Sequence, residues 1–217
     1  MTRRVAIAVP LTLLLVAFFS PAATIYVEPN GSDGDTGLTW DLAKKTIQAG
    51  IDAAVAGGHT NVVVSNGTYN VTASITVAGA VRVETWDPDV SKTIVRRSGG
   101  SSPIFNISHA SAVVKRFTIA NGNVNGGGVR LVDGTLTGCV VSNCTWAPQY
   151  GGGIWMSAGT VTNCLITHND GCYYGGSTGG GGVYMTGGLL IRSTIRNNWS
   201  RTYPGGGVYI SGGRVEA

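Results

Sequence analysis

Acidic side chains are the first candidates for chemistry in this 217-residue chain, because cleavage of sugar polymers commonly uses two carboxyl groups about 5 to 10 Å apart. After Ser98 the sequence contains only three acids, Asp133, Asp170 and Glu216. Asp133 and Asp170 follow glycine triplets, but at different distances: 7 and 19 residues after the first glycine. Stacked repeats would not bring these two side chains together, so we predict no catalytic residue in this part of the chain.

Aromatic residues recur at one place after the same glycine triplets. The residue at this place is Arg130, Trp155, Tyr184 and Tyr209 in successive repeats. Its neighbours on both sides are apolar, so alternation along a strand points it outward. Rings placed above one another on an outer face suit stacking on sugar rings or contact with another protein. One alternative stays open, in which aromatic residues between the repeats fold back and cover the rings: Trp146, Tyr150, Tyr173, Tyr174, Trp199 and Tyr203.

Hard oxygen ligands for a cation are concentrated in one loop, residues 30–37, with the sequence NGSDGDTG. Such a turn suits Ca²⁺, but an EF-hand loop starting at Asp33 would place Gly37 and Lys44 at two ligand positions. The alternative is that these side chains close turns around the glycines. No CxxC motif or histidine pair indicates zinc. We therefore expect no cofactor or metal, with Ca²⁺ at this loop as the alternative.

His168 stands beside Asn169 and Asp170, a trio that suits a general base and its orienting partners. It shares its place in the repeat with Asn143 and Asn197, however. The preferred interpretation is therefore a polar residue at the edge of a turn.

The four cysteines allow two disulfides with three connectivities. Cys139 and Cys164 occupy the same place in consecutive repeats, and neighbouring parallel strands lie about 4.8 Å apart. A disulfide prefers Cβ atoms about 3.8 Å apart, so we expect two stacked, buried thiols rather than a bridge. The pairing of Cys144 with Cys172 is left open.

The elements that must position these residues follow from an internal repeat. Glycine triplets start at Gly126, Gly151, Gly180 and Gly205, and each is followed by apolar residues two positions apart. This pattern, broken by glycine turns, predicts strands of a few residues with one buried face. Repeats this short bury little alone, so stability requires stacking of one on the next. The expected fold is all-β, a right-handed parallel β-helix with a short N-terminal capping α-helix.

We divide the chain into three segments. Residues 1–22 resemble a secretory signal peptide, with Arg3 and Arg4 before an apolar run too short to cross a bilayer comfortably. Residues 23–60 hold a strand, a loop and a helix predicted over Leu42–Ala56, and residues 61–217 hold coils that end before a repeat is complete. Without Arg3 and Arg4 the net charge falls from +4 to +2, which argues against a nucleic-acid partner.

Several segments carry a resemblance to a known family. Residues 25–33, 37–40, 45–54 and 66–69 together resemble the start of secreted bacterial right-handed parallel β-helix proteins of the pectin-lyase-like superfold. The glycine triplets, with Phe117 to Asn121 and the related segments from Ile166 and Ile195, are similar to the repeats of chlamydial-type polymorphic outer-membrane proteins. In that family the repeat has a GG pair and an FxxN motif. Only the segment from Phe117 to Asn121 keeps the phenylalanine, and its spacing to the asparagine is one residue longer.

The resemblance implies the fold more than the activity, because this superfold hosts lyases, hydrolases, adhesins and stalks. The leading hypothesis is a secreted or cell-surface, adhesin-like module, outer-membrane display included, that binds a polysaccharide or a surface protein through Arg130, Trp155, Tyr184 and Tyr209. The alternatives are the N-terminal part of a pectate-lyase-like polysaccharide lyase or glycoside hydrolase, and a purely structural stalk. We expect no membrane span in the mature chain.

Overall fold

Short parallel strands dominate the computed structural model, which describes residues 22–123, 127–146, 151–171, 179–200 and 205–217. A single α-helix, α1 (Ile47–Ala56), and two short 3-10 helices, Trp40–Leu42 and Val90–Lys92, accompany the strands in these ranges. In chain order the strands are Thr24–Val27 (β1), Asn61–Val64 (β2), Gly67–Val71 (β3), Ile75–Val77 (β4), Arg82–Thr85 (β5), Thr93–Arg97 (β6), Phe105–Ile107 (β7), Val113–Lys115 (β8), Thr118–Ala120 (β9), Val129–Leu131 (β10), Thr135–Thr137 (β11), Val140–Ser142 (β12), Thr145–Trp146 (β13), Ile154–Met156 (β14), Thr160–Thr162 (β15), Leu165–Thr167 (β16), Asp170–Gly171 (β17), Val183–Met185 (β18), Leu189–Ile191 (β19), Thr194–Arg196 (β20), Trp199–Ser200 (β21), Val208–Ile210 (β22) and Arg214–Glu216 (β23).

The strands form four sheets that run along one solenoid. Sheet A contains β1-β2-β5-β8-β11-β15-β19-β23, sheet B contains β3-β6-β9-β12-β16-β20, sheet C contains β4-β7-β10-β14-β18-β22, and the small sheet D contains β13-β17-β21. Pairing is parallel and in register, so that Val129 pairs with Ile154, Ile154 with Val183, and Val183 with Val208. The predicted all-β parallel β-helix is confirmed.

The core consists of the apolar residues that the repeat predicts to point inward. In the first complete glycine-triplet coil these are Val129, Leu131, Leu136 and Val141, and each has no exposed surface. Residues at the same places in the next coil stack on them and are equally buried: Ile154, Met156, Val161 and Ile166.

Two corners of the coils from β8 onward use residues with positive φ. One corner lies between sheets A and B, where Arg116, Gly138, Asn163 and Arg192 have φ between 47° and 67°. The other follows sheet B, where Asn121, Asn143, His168 and Asn197 have φ between 52° and 60°. Asparagine and glycine tolerate this left-handed conformation best. Asparagine accordingly recurs at the corner after sheet B, whereas arginine takes two of the four places at the corner between sheets A and B.

The glycine triplets that are enclosed between two coils pass so close to neighbouring backbone that a side chain would not fit. A Cβ atom on Gly153 would lie 2.6 Å from the carbonyl oxygen of Gly182 and 2.9 Å from Nδ2 of Asn169. A Cβ atom on Gly182 would meet the carbonyl oxygen of Gly207 and Nδ2 of Asn198 at 2.6 and 2.8 Å. These glycines are required by close packing, since their φ values are not positive.

A buried amide ladder lies directly inside the triplets. Asn169, which has no exposed surface, accepts a hydrogen bond from the backbone N–H of Cys144 at 3.0 Å. Its Nδ2 donates to the carbonyl of Val141 and to Oδ1 of Asn198, at 2.9 and 3.0 Å. Asn198 repeats the pattern by donating to the carbonyl of Ile166. Each amide therefore satisfies backbone groups of the adjacent coil.

Helix α1 packs against β1, β2 and β4 at the start of the solenoid, through the buried residues Ile47, Gly50, Ile51 and Ala54. The helix was predicted to begin at Leu42, and this boundary is wrong. Lys44 instead forms a parallel bridge with Val27, and Thr46 is the N-cap, accepting from the N–H of Ala49 at 3.2 Å. The residues before α1 are therefore an extended segment that pairs with β1, followed by the N-cap hydroxyl of Thr46.

The predicted segments at the N-terminus are tested only in part. Residues 1–21, which hold the predicted signal peptide, lie outside the described residues. Within the ranges that the structure covers, no helix has the length and apolar character needed to cross a bilayer.

Candidate functional site

The four predicted binding residues form a continuous column on the outer face of sheet C. Arg130 pairs with Trp155, Trp155 with Tyr184, and Tyr184 with Tyr209 in the parallel register. The Arg130 guanidinium carbon lies 5.1 Å from the centroid of the Trp155 ring, a cation–π contact. The Tyr184 and Tyr209 rings are stacked, with centroids 5.2 Å apart and planes 1° apart. We call these four residues the sheet C column.

Exposure varies along the sheet C column. Arg130 is exposed, whereas Trp155 and Tyr209 are half-buried. Tyr184 is only 8% exposed, so an incoming ligand would reach the column mainly at its other members. Of the residues that this alternative would place over the rings, Trp199 is itself 68% exposed. The side chain of Trp146, and Tyr150, Tyr173, Tyr174 and Tyr203, lie outside the described residues, so that alternative stays open.

The described outer face of sheet C has cationic and neutral polar groups but no acid. Arg130 Nη1 donates to Oδ1 of Asn106 at 3.2 Å, and Asn106 is its in-register neighbour on β7. Thr76 on β4 occupies the next place along the face. The Arg130 charge therefore contacts an amide and an aromatic ring, and is not neutralised by a carboxylate.

The trio at His168 does not form a catalytic arrangement. His168 lies in the corner after sheet B with φ 54°, and its Nδ1 shares a hydrogen bond with Oγ1 of Thr167 at 2.9 Å. The Asn169 amide points into the amide ladder, and Asp170 belongs to sheet D. The predicted turn-edge position of His168 agrees with this geometry.

The remaining acids in the repeats and the acidic loop have structural contacts. Asp133 caps a glycine turn, since its Oδ1 accepts from the N–H of Gly134 at 2.7 Å. Asp33 organises the start of helix α1: its Oδ1 accepts from the N–H groups of Lys45 and Thr46, and its Oδ2 accepts from the Thr46 hydroxyl. The described residues contain no group of three acids, histidines or cysteines close enough to hold a metal. Ca²⁺ at the 30–37 loop stays a prediction.

The cysteines of the described coils are free thiols inside the core. Cys139 and Cys164 are 1% and 3% exposed and stack in consecutive coils as predicted. Burial raises the pKa of the Cys139 thiol well above its ordinary value. Burial also raises the pKa of the Cys144 thiol to about 12, which makes it a poor nucleophile. The open question of a Cys144–Cys172 bridge involves a residue outside the described ranges.

Sequence reasoning missed a second group of aromatic residues, on sheet A near the N-terminus. Tyr26 on β1, Trp40 in the first 3-10 helix and Trp86 after β5 contact one another, although 14 and 46 residues separate neighbours in the chain. The only sequence feature that indicated an outward position for Trp86 is its alternation with Arg82 and Glu84 along and just beyond β5.

With this geometry in place, the class of protein is a parallel β-helix. No family model matches the chain, and no curated protein matches it. The chain is similar in structure to the Dettilon tailspike protein gp208, with a TM-score of 0.55 and 14% identity, over 88% of this chain and 38% of that one. Pectin methylesterase PemA from Erwinia chrysanthemi also matches, with a TM-score of 0.45 and 14% identity, over 91% of this chain and 67% of that one.

These matches define a fold rather than a particular protein. At 14% identity the tailspike likeness establishes the β-helix alone, and the chain spans 38% of the tailspike's length. The resemblance to chlamydial-type polymorphic outer-membrane proteins stays a prediction.

Proposed function

We propose that this chain is an exported, adhesin-like β-helix module that binds acidic glycans through the sheet C column. The single observation that carries the proposal is the in-register alignment of Arg130, Trp155, Tyr184 and Tyr209 along the solenoid axis. Consecutive strands are about 4.8 Å apart, so the column presents contact groups at a regular spacing to an extended polymer.

The chemistry of the sheet C column suits a sugar chain with negative charge. Aromatic faces carry negative electrostatic potential and attract the polarised C–H groups of a sugar ring. Arg130, which no carboxylate neutralises, attracts a uronate or another acidic substituent and can bind it in a bidentate manner. The preference for a glycan over a protein rests on this combination of aromatic faces and a guanidinium along one line of the solenoid.

Export and surface display are supported by the N-terminal sequence. Arg3 and Arg4 precede the apolar run of residues 6–19, and small residues follow it, which is the pattern of a cleaved secretory signal. An adhesin-like role follows if the exported module binds a glycan without cleaving it.

A binding assay on immobilised polygalacturonate tests the proposal. We expect the wild-type chain to bind, and Arg130→Gln and the double variant Trp155→Ala/Tyr209→Ala each to lose about tenfold in affinity. Binding should weaken between about 0.05 M and about 0.5 M NaCl, because exposed charges are screened over this range.

Trp199→Ala is the matched control, because Trp199 is an exposed tryptophan on sheet D. It should leave polygalacturonate binding unchanged. Column variants that fold and bind as well as the wild type would refute the proposed site. Release of unsaturated uronides, followed by ultraviolet absorbance, would instead favour the lyase alternative.

A further inference from the structure

Three aromatic side chains form a compact group on the outside of sheet A, at the N-terminal end of the solenoid. The Tyr26 and Trp40 ring centroids are 4.6 Å apart with planes tilted by 49°. Trp86 meets Trp40 edge to face, with centroids 5.7 Å apart and planes 86° apart. We call these three residues the Trp86 cluster. It lies on a different sheet from the sheet C column.

The members of the Trp86 cluster differ in exposure. Tyr26 and Trp40 are half-buried, whereas Trp86 is 64% exposed. Tyr26 and Trp40 have an evident structural role, since they cover the outside of the first strand of sheet A. An indole left mostly in water adds little hydrophobic stabilisation to the fold, so packing alone does not account for Trp86.

The position of Trp86 is fixed although its ring is exposed. Its backbone N–H donates to the carbonyl of Val64 at 2.8 Å, which continues the sheet A pairing. On its other side, the Thr85 hydroxyl donates to the carbonyl of Asp87 at 2.6 Å and holds the following turn. Contact with Trp40 restrains the ring itself. A ring held in this way loses little conformational entropy when a ligand stacks on it.

On one side of Trp86 a single carboxylate, that of Glu84, is shared by three cationic side chains. Glu84 forms ion pairs with Lys115 at 3.2 Å and with Arg116 at 3.0 Å, and lies 3.8 Å from Arg82. These pairs leave no acid on this side to bind a cationic ligand.

On the other side of Trp86, Asp87 pairs with Lys92 at 3.0 Å and also accepts from the Asn66 amide at 3.3 Å. Asp89 accepts from the N–H and the hydroxyl of Ser91. The hydrogen bond from the backbone N–H of Asp89, followed by that from Lys92, lowers the pKa of Asp87, and the hydrogen bonds from Ser91 lower the pKa of Asp89. Both carboxylates are therefore acceptors near neutral pH.

A neutral sugar ring matches this surface better than a protein does. An indole face flanked by fixed acceptors and donors fits a pyranose, which has C–H groups on one face and hydroxyls around its edge. A stable protein interface needs about 800 Å² of each partner, with an apolar centre. The Trp86 indole is flanked instead by the ion-paired side chains of Glu84 and Asp87, with which the hydroxyls of a sugar can form hydrogen bonds.

We propose that the Trp86 cluster is a second carbohydrate site, specific for a neutral polysaccharide, with Trp86 as its stacking platform. The proposal does not depend on the sheet C column, because the two sites lie on different sheets and differ in charge. Binding of a neutral sugar at the Trp86 cluster should depend less on salt than binding of polygalacturonate at the sheet C column, because an uncharged ligand forms no ion pair with the charged groups around Trp86.

Retention on insoluble cellulose, xylan and chitin tests this proposal with the full chain. We expect the wild type to bind at least one of the three, and Trp86→Ala to lose about tenfold in affinity. Trp86→Phe should keep most of the binding, because it preserves an aromatic face. Trp199→Ala, which removes an equally exposed tryptophan from sheet D, should bind like the wild type.

The outcomes separate this site from the sheet C column. Failure of the folded wild type to bind any of the three polymers, or equal binding by Trp86→Ala, would overturn the neutral-sugar site. Loss of polygalacturonate binding in Trp155→Ala/Tyr209→Ala alone concerns only the sheet C column. Circular dichroism of each variant establishes that loss of binding is not loss of fold.

Discussion

The N-terminal coils and the glycine-triplet coils build the same solenoid by different means. Residues 61–107 use contacts that occur once, such as the packing of helix α1, the Gln48 side chain bound to β4, and the Phe105 ring, whose centroid lies 5.8 Å from that of Phe117 in the same coil. Residues 127–217 use contacts that repeat, namely the glycine triplets, the positive-φ corners and the amide ladder.

This difference shows how the interactions that specify the fold are distributed along the chain. In the glycine-triplet coils each residue contacts its equivalents one coil away, so one substitution affects groups in neighbouring coils. In the N-terminal coils individual side chains fill the core and satisfy backbone hydrogen bonds locally, and one of them protects an exposed sheet edge. Four measurements can test this contrast.

The largest effect is expected where a glycine triplet is enclosed between two coils. Gly182→Ala should lower the free energy of unfolding by about 3 kcal/mol, because the new Cβ would meet backbone and Asn198. Gly207 occupies the same place in the repeat, but its nearest atom would be Cγ2 of Ile195 at 3.6 Å. Urea denaturation should therefore find Gly207→Ala close to the wild type. Equal effects of the two substitutions would contradict the close-packing argument.

The next effect concerns the amide ladder. Asn169→Ala leaves the Cys144 N–H and the Val141 carbonyl without their buried partners, and should cost about 2 kcal/mol of unfolding free energy. Asn70 in the N-terminal coils, whose exposed side chain contacts Arg96, serves as the control. Asn70→Ala should change stability by less than about 0.5 kcal/mol in the same denaturation assay. A similar cost at both positions would refute a special role for the ladder.

A smaller effect is expected at the first strand of sheet C. Gln48 accepts from the N–H of Thr76 at 2.7 Å and donates to its carbonyl at 3.3 Å, as a neighbouring strand would. Gln48→Ala should cost about 1 kcal/mol and speed hydrogen exchange of the Thr76 amide. Asp52→Ala removes only a bond to the Gln48 side chain, and should leave that amide protected. Unchanged exchange in Gln48→Ala would show that the edge needs no such cap.

The smallest effect is a pH dependence of the free energy of unfolding, and its source lies in the glycine-triplet coils. The pKa of Cys144 is about 12 in the fold and about 8.5 when unfolded, so the unfolded chain binds fewer protons above pH 8.5. Stability is therefore full below about pH 8.5 and falls as the pH rises toward 12, by about 0.8 kcal/mol at pH 9.

The N-terminal coils should not contribute to the loss of stability between pH 8 and pH 9.5. Their buried tyrosine, Tyr69, has a pKa raised by burial to about 12, but its unfolded value of about 10 lies higher than that of a thiol. Cys144→Ala should reduce the loss measured by urea denaturation between pH 8 and pH 9.5, while Tyr69→Phe should not. An unchanged slope in Cys144→Ala would indicate another titrating group.

Much of the repeat could be read from residue spacing. The inward places of Val129, Leu131 and Leu136 and the outward places of Arg130 and Trp155 follow from period-two alternation combined with a fixed repeat length. The boundary of helix α1 was less accessible, because it depends on Asp33, which binds the N–H groups of Lys45 and Thr46 across a loop. The Trp86 cluster was not predicted at all, since its members have no common spacing.

The sequence alone determined the stacking, because identical repeats can bury their apolar residues together only when equivalent side chains lie above one another. It thereby determined the order of residues in the sheet C column. Only the tertiary structure decided how exposed each ring is, that Asn169 and Asn198 point inward beneath the glycines, and that Tyr26, Trp40 and Trp86 meet. Those properties depend on how the chain turns its corners, and residues far apart in sequence become neighbours only after those corners have formed.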